Sequence, residues 1–398
     1  MSEIIVVINA ESATIKFAVY SVDRIRSALT LILRGLAESH AEKLSLAITD
    51  AEGREVAHDT VSARGEPSNA LRALLDASLH WLKTNLDQNQ IVAFGHRIVH
   101  GGDQFLAPVI ITETILANLR KLTPLAPLHQ PYNLAVIDGV RDRWPDLPQV
   151  GCFDTAFHHT QPKVEQMFAL PKAFFDSGVK RYGFHGLSYE YIARVLPAYL
   201  GDKADGKVIV AHLGNGASLC AMKQRVSVAT TMGFSTLDGL VMGTRSGSID
   251  AGAILYLMDE KKMTSEDIAH LLYHESGLLG VSGLSADMRT LLASDLPHAA
   301  EAVELFVHRA VREIGSLTAA LGGLDALMFT GGMGSHSALI RQRICDGSAW
   351  AGIDLDHQAN AAHALRISAN HSAASAWVIP TDEEAIIADH TLKLAVSI

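Results

Sequence analysis

Short apolar runs alternate along this chain with long amphipathic segments, and this alternation constrains the fold more than any other feature. Each run ends in a turn that contains glycine, asparagine or aspartate, as buried strands of α/β proteins do. The runs are IIVVINA (4–10), IVAFGHRIVHGG (91–102), VIVAHLGNGAS (208–218) and ALMFTGGMG (326–334). Apolar residues at helical spacing predict helices over 67–86 and 298–323, and Gly322-Gly323 is a suitable stop for the second. The pattern occurs twice and therefore predicts an α/β fold with two related lobes.

The length and charge of the chain limit its function classes. At 398 residues it has room for about two domains. The 33 Lys and Arg against 43 Asp and Glu give a formal net charge of −10. Without a run of like charges, this balance argues against a nucleic-acid partner or an anionic membrane surface. An anionic substrate therefore requires cationic side chains gathered in a cleft.

Cysteine usage and apolar run lengths predict a soluble protein of a reducing cytoplasm. Cys152, Cys220 and Cys345 are odd in number and far apart in sequence, so neither a disulfide framework nor a CxxC metal site is expected. The apolar run near the amino terminus is confined to residues 4–8, which is too short for a signal peptide. No stretch approaches the roughly 20 apolar residues of a membrane-spanning helix.

Three apolar runs lead into turns of small residues that carry a polar side chain, near residues 9, 214 and 331. Such turns leave backbone N–H groups unpaired, and these groups can hold phosphate oxygens. The alternative is that each is an ordinary tight turn, because the chain has no strict dinucleotide-binding or Walker fingerprint. Taken singly, the turns leave both interpretations open.

The segment GHRIVHGG at 95–102 contains one arginine between two histidines. His96 and His100 do not form a metal pair if the segment is extended, because four strand residues span roughly 13 Å. Arg97, near the carboxyl end of the predicted strand, is a candidate for gripping a carboxylate or a phosphate with two hydrogen bonds. A surface ion pair is the alternative.

Three further polar residues have a functional and a structural interpretation. Asp154 follows a short apolar run and could orient a nucleophile or cap a helix. His185, between an aromatic residue and a glycine, could donate to developing phosphoryl charge or sit in the core with its hydrogen bonds satisfied. Arg245 lies in a loop of small residues, which favours a charge-donating role in phosphoryl transfer.

The segment VIPTDEEAIIADHTL (378–392) predicts a strand followed by a helix. Thr381 and Glu384 have the spacing of a capping box. The preference of acidic residues for the first turn of a helix explains Asp382 and Glu383 without a metal.

Read together, these segments resemble the acetate kinase family, including its propionate kinase branch. The resemblance covers nearly the whole chain, and so many motifs in one order make a chance similarity negligible. The motifs are INAESATIKF (8–17), GHRIVHGG (95–102), APLHQPYNL (126–134), FDTAFHHTQP (153–162), YGFHGLS (182–188), AHLGNGAS (211–218), MGFSTLDGLVMGTRSG (232–247), SGLLGVSGLSADMR (276–289), FTGGMG (329–334) and TDEE (381–384).

The resemblance implies a two-lobed actin-like ATPase fold of the ribonuclease H-like type, with a mixed five-stranded sheet flanked by helices in each lobe. The active site is expected in the cleft between the lobes, and the protein is expected to be a homodimer. The lobe boundaries that follow are 1–155 with 384–398 for the first lobe, and 156–383 for the second, nucleotide-binding lobe.

The activity that the resemblance implies is reversible, Mg²⁺-dependent transfer of a phosphoryl group from ATP to acetate, giving ADP and acetyl phosphate, with Mn²⁺ as a substitute metal. Propionate or another short acid is a second candidate substrate. A third hypothesis is a catalytically weakened relative that binds nucleotide or acyl phosphate as a regulatory module. Partners are then small molecules, with no nucleic acid and no membrane.

The site residues that the resemblance implies fall into groups by role. The metal ligands are Asn9 and Glu383. The groups around the transferring phosphoryl and the attacking carboxylate are Arg97, His129, Asp154, His185 and Arg245. The nucleotide-binding residues are Ser12, Thr14, Lys16, His212, Leu213, Gly214, Asn215, Gly216, Asp287, Met288, Arg289, Gly332, Met333, Gly334, Ser335 and His336. The acyl pocket is Val99, Leu128, Phe184 and Thr236, with Arg97 beside it.

Several residues depart from the family pattern. Glu11 stands where the family has glycine in the first phosphate-facing turn, and its carboxylate is expected either to weaken ATP binding or to be harmless through pairing with a cation. Thr236 replaces a proline near the acyl pocket, and Ser248 replaces an aspartate. Ser335 and His336 replace glutamate and asparagine in the last nucleotide motif. Substrate identity is therefore less constrained than reaction class.

Overall fold

The computed structural model describes residues 3–10, 14–40, 43–62, 67–86 and 90–396. The chain divides into two compact units, of which the first is Met1–Ala156 with Asp382–Ile398 and the second is Phe157–Thr381. Glu11 and Ser12, which carry two of the sequence-based expectations, lie outside the described residues.

Strands and helices are numbered in chain order. The strands are β1 Glu3–Ala10, β2 Thr14–Asp23, β3 Ala28–His40, β4 Lys43–Asp50, β5 Glu55–Ser62, β6 Gln90–Ile98, β7 Val109–Ile110, β8 Gln149–Phe153, β9 Lys207–Leu213, β10 Ala217–Lys223, β11 Val226–Thr230, β12 Ala326–Thr330 and β13 Ser375–Val378. The helices are α1 Pro67–Asn85, α2 Glu113–Lys121, α3 Gln130–Arg143, α4 Lys163–Gln166, α5 Lys172–Asp176, α6 Gly186–Leu200, α7 Ala251–Asp259, α8 Ser265–His270, α9 Gly277–Ser282, α10 Met288–Leu292, α11 Pro297–Leu321, α12 Gly331–His336, α13 Ala338–Gly347, α14 His357–Ala361 and α15 Glu383–Thr391. Single turns of 3₁₀ or π helix connect them at Thr123–Leu125, Ala156–Thr160, Gly201–Asp205, Leu271–Glu275, Ala349–Ala351 and Leu392–Val396.

The sheet of the first unit has the strand order β5-β4-β3-β2-β1-β6-β8-β7. The resemblance predicted five strands here, and this number is wrong for the described residues. The five expected strands form the central run from β3 to β8. The hairpin of β4 and β5 extends one edge, and the two-residue strand β7 pairs with β8 at the other.

Parallel pairing brings three strand ends of the first unit together. Strand β6 pairs in parallel with β1 on one side and with β8 on the other. The carboxyl ends of parallel strands meet at one edge of a sheet, where side chains of α/β proteins are usually brought together for chemistry. Asn9, Arg97 and Asp154 lie at or directly after these three ends.

Strand β1, in the core of the first unit, is apolar at every residue from 4 to 8, and all five side chains are buried. Ile4, Val6 and Ile8 of β1 point to one face and pack in a single cluster with Leu75 and Leu79 of α1. The helix expected over 67–86 is confirmed as α1, which ends at Asn85.

The second unit is built on the five-stranded sheet β11-β10-β9-β12-β13, as the resemblance predicted. Strand β9 is parallel to β12 and antiparallel to β10, so the sheet is mixed. Apolar residues of α6, among them Ile192 and Leu196, pack on Val208 and Val210 of β9. The helix expected over 298–323 is confirmed as α11, which stops where Gly322 adopts a left-handed φ of 69°.

Within the part of the chain that the structure describes, no helix combines the length and the hydrophobicity needed to cross a membrane.

Candidate active site

An arginine and an aspartate form the centre of the cluster at the strand ends of the first unit. Arg97 Nε donates to both carboxylate oxygens of Asp154 at 3.1 Å, and Arg97 Nη2 donates to Oδ2 at 2.6 Å. The Asp154 side chain is 1% exposed and that of Arg97 is 12% exposed. A charge pair of this kind is shielded from solvent, so the guanidinium is fixed in position. The sequence-based alternative, a surface ion pair for Arg97, is therefore wrong.

Asn9 joins this pair to the start of the last helix. Its Oδ1 accepts from Arg97 Nη1 at 3.2 Å, and its Nδ2 donates to Glu383 Oε2 at 3.4 Å. Burial raises the pKa of the Glu383 carboxyl to about 7, although the nearby Arg97 guanidinium lowers it. The four side chains thus form one chain of polar contacts at the end of β1.

The acidic triplet at residues 382–384 is divided between different partners. Asp382, rather than Thr381, caps α15, because its side chain accepts from Ala385 N at 3.0 Å. The predicted capping box is therefore wrong by one residue. Arg34 on β3 pairs with Asp382 at 2.6 Å and with Glu384 at 3.5 Å. These contacts leave Glu383 as the member that faces Asn9.

The donor set at Asn9 and Glu383 suits a hard cation. Amide and carboxylate oxygens are the ligands that Mg²⁺ and Mn²⁺ prefer. Among the described residues, His, Cys, Asp and Glu form no group of three or more that could hold an ion alone. Further oxygens would have to come from a phosphate, as is usual for Mg²⁺ bound with a nucleotide.

A buried asparagine that the sequence analysis missed ties two of these strand ends together. Asn133 on α3 accepts from Val99 N at 3.0 Å and donates to Ala10 O at 2.8 Å. It lies inside the motif APLHQPYNL, where a polar residue on the apolar face of a helix was a usable signal. Val99 is buried, whereas Leu128 and His129, just before α3, are half-buried.

The remaining predicted residues of the first unit lie on β2. Thr14 is half-buried and Lys16 is exposed. Lys16 pairs in register with Asn9 across the two antiparallel strands. The ammonium group of Lys16 is close enough to lower the pKa of Glu383.

A second cluster, in the second unit, is centred on His185. This residue has a left-handed backbone, with φ 59° and ψ 24°, directly before α6. Its ring stacks on that of His212 with 4.3 Å between the centroids and an interplanar angle of 18°. Ser218 Oγ lies 2.7 Å from His185 Nδ1, and Ser188 Oγ lies 2.8 Å from His212 Nδ1. The two imidazoles are thus held at fixed orientations by neighbouring hydroxyls.

The turn between β9 and β10 brings these rings close to an arginine. A Cβ atom added at Gly216 would lie 3.3 Å from His185 Nε2 and 3.6 Å from Arg245 Nη1. Only glycine leaves room for both groups without a shift of one neighbour. His185 and Arg245 therefore converge on the backbone of the turn formed by His212, Leu213, Gly214, Asn215 and Gly216.

Backbone contacts fix the loop that carries Arg245. Gly277 adopts φ 62°, and a Cβ there would lie 2.2 Å from Met242 O. That close approach lets Leu278 N donate to Met242 O at 2.8 Å. Arg245 Nη1 also donates to Thr236 O at 3.1 Å. The guanidinium is therefore held before any ligand binds.

The predicted nucleoside residues lie at the starts of two short helices. Asp287 caps α10 by accepting from Arg289 N at 2.8 Å, and Arg289 Nη2 pairs with it at 2.7 Å while remaining exposed. Met288 is buried. The other group, on α12, consists of Gly332, Met333, Gly334, Ser335 and His336.

A fully buried arginine, for which no sequence pattern was a signal, supports α12. Arg341 Nη1 donates to the carbonyls of Gly334 and Ser335 at 2.9 Å each. Its Nε donates to Asn360 Oδ1 at 2.9 Å. These bonds satisfy carbonyls at the carboxyl end of a helix too short to satisfy them itself.

The acyl-pocket candidates in the second unit are both buried, Phe184 at 1% and Thr236 at 8% exposure. Ser248, where the family pattern has aspartate, donates from Oγ to Asp238 Oδ1 at 2.6 Å. Asp238 also pairs with Arg181 at 3.0 Å. The neutral hydroxyl of Ser248 therefore donates to a carboxylate, that of Asp238, whose cationic partner is Arg181.

Comparisons with known proteins show the family of the chain. The sequence model of the acetokinase family matches residues 4–389. An acetate kinase of Rhodopseudomonas palustris is 52% identical to the chain, over 99% of the chain and 99% of its own length. An acetate kinase of Methylocella silvestris is 48% identical, over 99% of the chain and 98% of its own length. A propionate kinase structure from Francisella tularensis superposes with a TM-score of 0.89 at 35% identity, and a Porphyromonas gingivalis acetate kinase structure with 0.84 at 32%. These two structures match 99% of the chain and 100% of their own chains. On its sequence and its fold, the chain belongs to the acetokinase family.

Proposed function

We propose that this protein transfers the γ-phosphoryl group of ATP to acetate, reversibly, giving ADP and acetyl phosphate. The observation that carries the proposal is the Arg97–Asp154 pair beside Asn9 and Glu383, in a chain of the acetokinase family. In the reaction an acetate oxygen bonds to the γ-phosphorus while the bond from that phosphorus to the β,γ-bridging oxygen breaks. The bridging oxygen leaves as part of ADP.

The nucleophile needs no general base. Acetate is already ionised at neutral pH, as carboxylic acids of its kind titrate near pH 4 to 5. Asp154 accepts from Arg97 with both oxygens, which supports a positioning role for Asp154. Arg97 then offers its fixed positive charge to the anionic reactants.

Asn9 and Glu383 are the proposed ligands of Mg²⁺, with Mn²⁺ as the substitute. The metal, when bound, neutralises charge on the nucleotide phosphates. Asn9 keeps its amide oriented through its bond to Arg97. The Arg34 pairs with Asp382 and Glu384 keep those two neighbouring carboxylates away from the cation.

The second unit is proposed to supply donors for phosphate oxygens and the nucleoside. His185 and Arg245 converge on Gly216, so an N–H donor and a cation face the same turn. Transfer through a loose, charge-separated transition state is accelerated chiefly by such preorganised donors. Asp287 to Arg289 and the start of α12 are the proposed nucleoside contacts.

Hydroxamate trapping tests the proposal directly. Purified protein, ATP and Mg²⁺ are incubated with acetate, propionate or butyrate in hydroxylamine, which converts an acyl phosphate into a coloured hydroxamate. Acetate-dependent hydroxamate with one ADP per product supports the kinase. ATP binding without product from any of the three acids would favour the regulatory relative and contradict the proposal.

Propionate is the second candidate substrate, because the propionate kinase of Francisella tularensis shares the fold over 99% of this chain. One methylene in an apolar pocket discriminates by only about 1–3 kcal/mol. Thr236, which has no proline ring, is expected to leave room for the extra carbon. We expect measurable propionate activity, with kcat/KM within a thousandfold of that for acetate. A larger ratio would contradict the roomier pocket.

We further propose that the protein is a homodimer that uses α7 as part of its interface. This helix has the apolar sequence AGAILYLMD and contains no buried residue. Leu255 and Tyr256 are 60% and 54% exposed. A contiguous apolar surface of this kind usually marks an interaction site in a soluble enzyme. A second copy of the chain is the expected occupant.

Replacing Leu255 and Tyr256 together by glutamate should dissociate the dimer, because two charges would be buried without partners. Light scattering after size exclusion should then report the mass of one chain, 42.7 kDa. Val164→Glu, at another exposed apolar position, is the control and should keep the parent mass. A monomeric parent protein, or a double variant that stays dimeric, would contradict this assignment.

The proposed location is the reducing cytoplasm. Cys152, Cys220 and Cys345 are buried as thiols. Burial raises the pKa of the Cys220 and Cys345 thiols to about 12, which keeps them protonated and unreactive. Cell fractionation should recover the activity with cytoplasmic markers, and recovery with secreted or membrane fractions would contradict the proposal.

A further inference from the structure

A chain of hydroxyl groups leads from the core of the second unit to His185. The hydroxyl oxygen of Tyr189, on α6, lies 2.5 Å from Ser218 Oγ on β10. Ser218 Oγ in turn lies 2.7 Å from His185 Nδ1. Both Tyr189 and Ser218 are fully buried. Neither residue belongs to the site residues that the family resemblance implied.

The direction of the hydrogen bonds in this chain follows from proton counting. In the described part of the chain, the partner of the Tyr189 hydroxyl is Ser218 Oγ. Burial raises the pKa of Tyr189 well above its ordinary value, so the phenol keeps its proton. If Ser218 donated to Tyr189, the phenolic proton would be buried without an acceptor, which is unfavourable. Tyr189 therefore donates to Ser218.

Ser218 has one hydroxyl proton, and this proton is then directed to His185 Nδ1. A ring nitrogen that accepts a hydrogen bond carries no proton itself. The remaining ring nitrogen of a neutral imidazole, Nε2, must carry the proton. Nε2 is the His185 atom nearest to the position that a Cβ at Gly216 would occupy, at 3.3 Å, and Arg245 Nη1 lies 3.6 Å from the same position.

We propose that Tyr189 and Ser218 are positioning residues that fix His185 as the neutral tautomer with its proton on Nε2. This inference rests on the proposed kinase function, in which the Nε2–H group donates to a phosphoryl oxygen. The hydroxyl chain sets both the tautomer and the ring plane before substrates bind. A donor that needs no rearrangement during the reaction stabilises the transition state more effectively.

The stacked ring of His212 is consistent with the neutral form. Ser188 Oγ makes the equivalent contact to His212 Nδ1 at 2.8 Å. Two imidazolium rings with centroids 4.3 Å apart would repel each other. Ser188 on α6 contacts His212 directly, whereas Tyr189, its neighbour on the same helix, acts on His185 through Ser218 of β10.

Nitrogen-15 NMR of histidine-labelled protein tests the tautomer without turnover. The His185 signals are assigned by their loss in His185→Gln. In the parent protein without substrates we expect a single neutral tautomer, with a protonated Nε2 and an unprotonated Nδ1. A proton on Nδ1, or a fast mixture of the two tautomers, would overturn the inference whether or not the protein is a kinase.

Three variants test the positioning role by kinetics. Ser218→Ala removes the donor to Nδ1, and we expect a tautomer mixture and at least a tenfold lower kcat, with KM for ATP and acetate within twofold. Tyr189→Phe keeps the core packed, and we expect a threefold to tenfold loss in kcat. Ser218→Thr keeps the hydroxyl and should restore both the NMR signature and most of kcat.

A matched control on the same helix is Tyr199→Phe, which also removes one tyrosine hydroxyl and should leave kcat and the His185 signals unchanged. If Ser218→Ala does not fold, as judged by circular dichroism, Tyr189→Phe carries the test. Parent-like kcat in Tyr189→Phe and Ser218→Ala would overturn the positioning role even if the tautomer is as expected. A parent protein without kinase activity but with the Nε2–H signature would contradict the proposed function and leave the tautomer assignment supported.

Discussion

Alanine at position 97 or at position 245 is expected to lower kcat at least a hundredfold. Each arginine is held before substrate binds, Arg97 by Asp154 and Arg245 by the Thr236 carbonyl. Removing one preorganised charge donor typically costs roughly 3–4 kcal/mol of transition-state stabilisation. The measurement is steady-state kcat for acetyl phosphate formation, with ATP affinity determined separately.

Surface arginines that already have a partner provide matched controls in each unit. Arg120 pairs with Asp138 and Arg225 with Asp205, and their side chains are 47% and 44% exposed. Arg120→Ala and Arg225→Ala should leave kcat within twofold, since exposed ion pairs contribute little. A loss below fivefold in both Arg97→Ala and Arg245→Ala would contradict their assignment to the reaction.

Arg97→Ala is also expected to destabilise the first unit. It leaves the Asp154 carboxylate, which is 1% exposed, without its counter-charge. Breaking a buried pair on one side costs about 3–5 kcal/mol. The double variant Arg97→Ala with Asp154→Asn should recover part of the stability without recovering kcat. This separation distinguishes a folding defect from the loss of a catalytic charge.

Acid is expected to destabilise the protein strongly between pH 6.5 and pH 4 because three histidines are buried in neutral form. Burial lowers the pKa values of His96, His100 and His158 to about 4 each, from 6.5 in an unfolded chain. Above pH 6.5 neither the folded nor the unfolded state carries the extra proton on these histidines, so their contribution to stability is fully present. As the pH falls below 6.5 the unfolded chain binds protons that the folded chain does not, and the free energy of unfolding decreases.

Each histidine lowers the free energy of unfolding by roughly 3 kcal/mol once the pH is below 4, since one pKa unit corresponds to about 1.4 kcal/mol. This is a large part of the 5–15 kcal/mol or so that stabilises a typical domain. Urea unfolding at several pH values measures the free energy of unfolding and its slope with pH.

Single variants assign the slope to particular residues. In His158→Gln the slope of the free energy of unfolding with pH, between pH 6 and pH 5, should decrease by up to about 1.4 kcal/mol per pH unit. The substitution also alters the hydrogen bonds that His158 makes with Ser227 and Phe184 O. His159→Gln, the exposed neighbour, is the control and should keep the parent slope. An unchanged slope in His158→Gln would show that this imidazole is not neutral in the folded protein.

The local structure of several elements was predictable from sequence because it depends on local patterns. Apolar periodicity identified α1 and α11, and Gly322 marked the end of α11. Apolar runs identified β1, β9 and β12. In contrast, the hairpin of β4 and β5 was not predicted, because sheet extension depends on pairing between strands rather than on the pattern of one strand.

The candidate site was predictable in its residue types and not in its contacts. Arg97 and Asp154 were separate candidates in sequence, each with an alternative, and pairing depends on the parallel alignment of β6 with β8. Ser218 and Arg341 carried no signal of their own. A serine in a strand or an arginine in a helix is ordinary until the fold surrounds it.

The α/β class, the order of the motifs and the family could all be predicted from the sequence, because these follow from local patterns and their succession along the chain. Which polar groups are paired depended instead on contacts between residues that are distant in sequence. Burial then decided protonation, since removal from water raises the pKa of Glu383 and lowers that of His158. Proton positions, such as the one proposed for His185, depend on hydroxyls brought together from α6 and β10, and that proximity is a property of the fold.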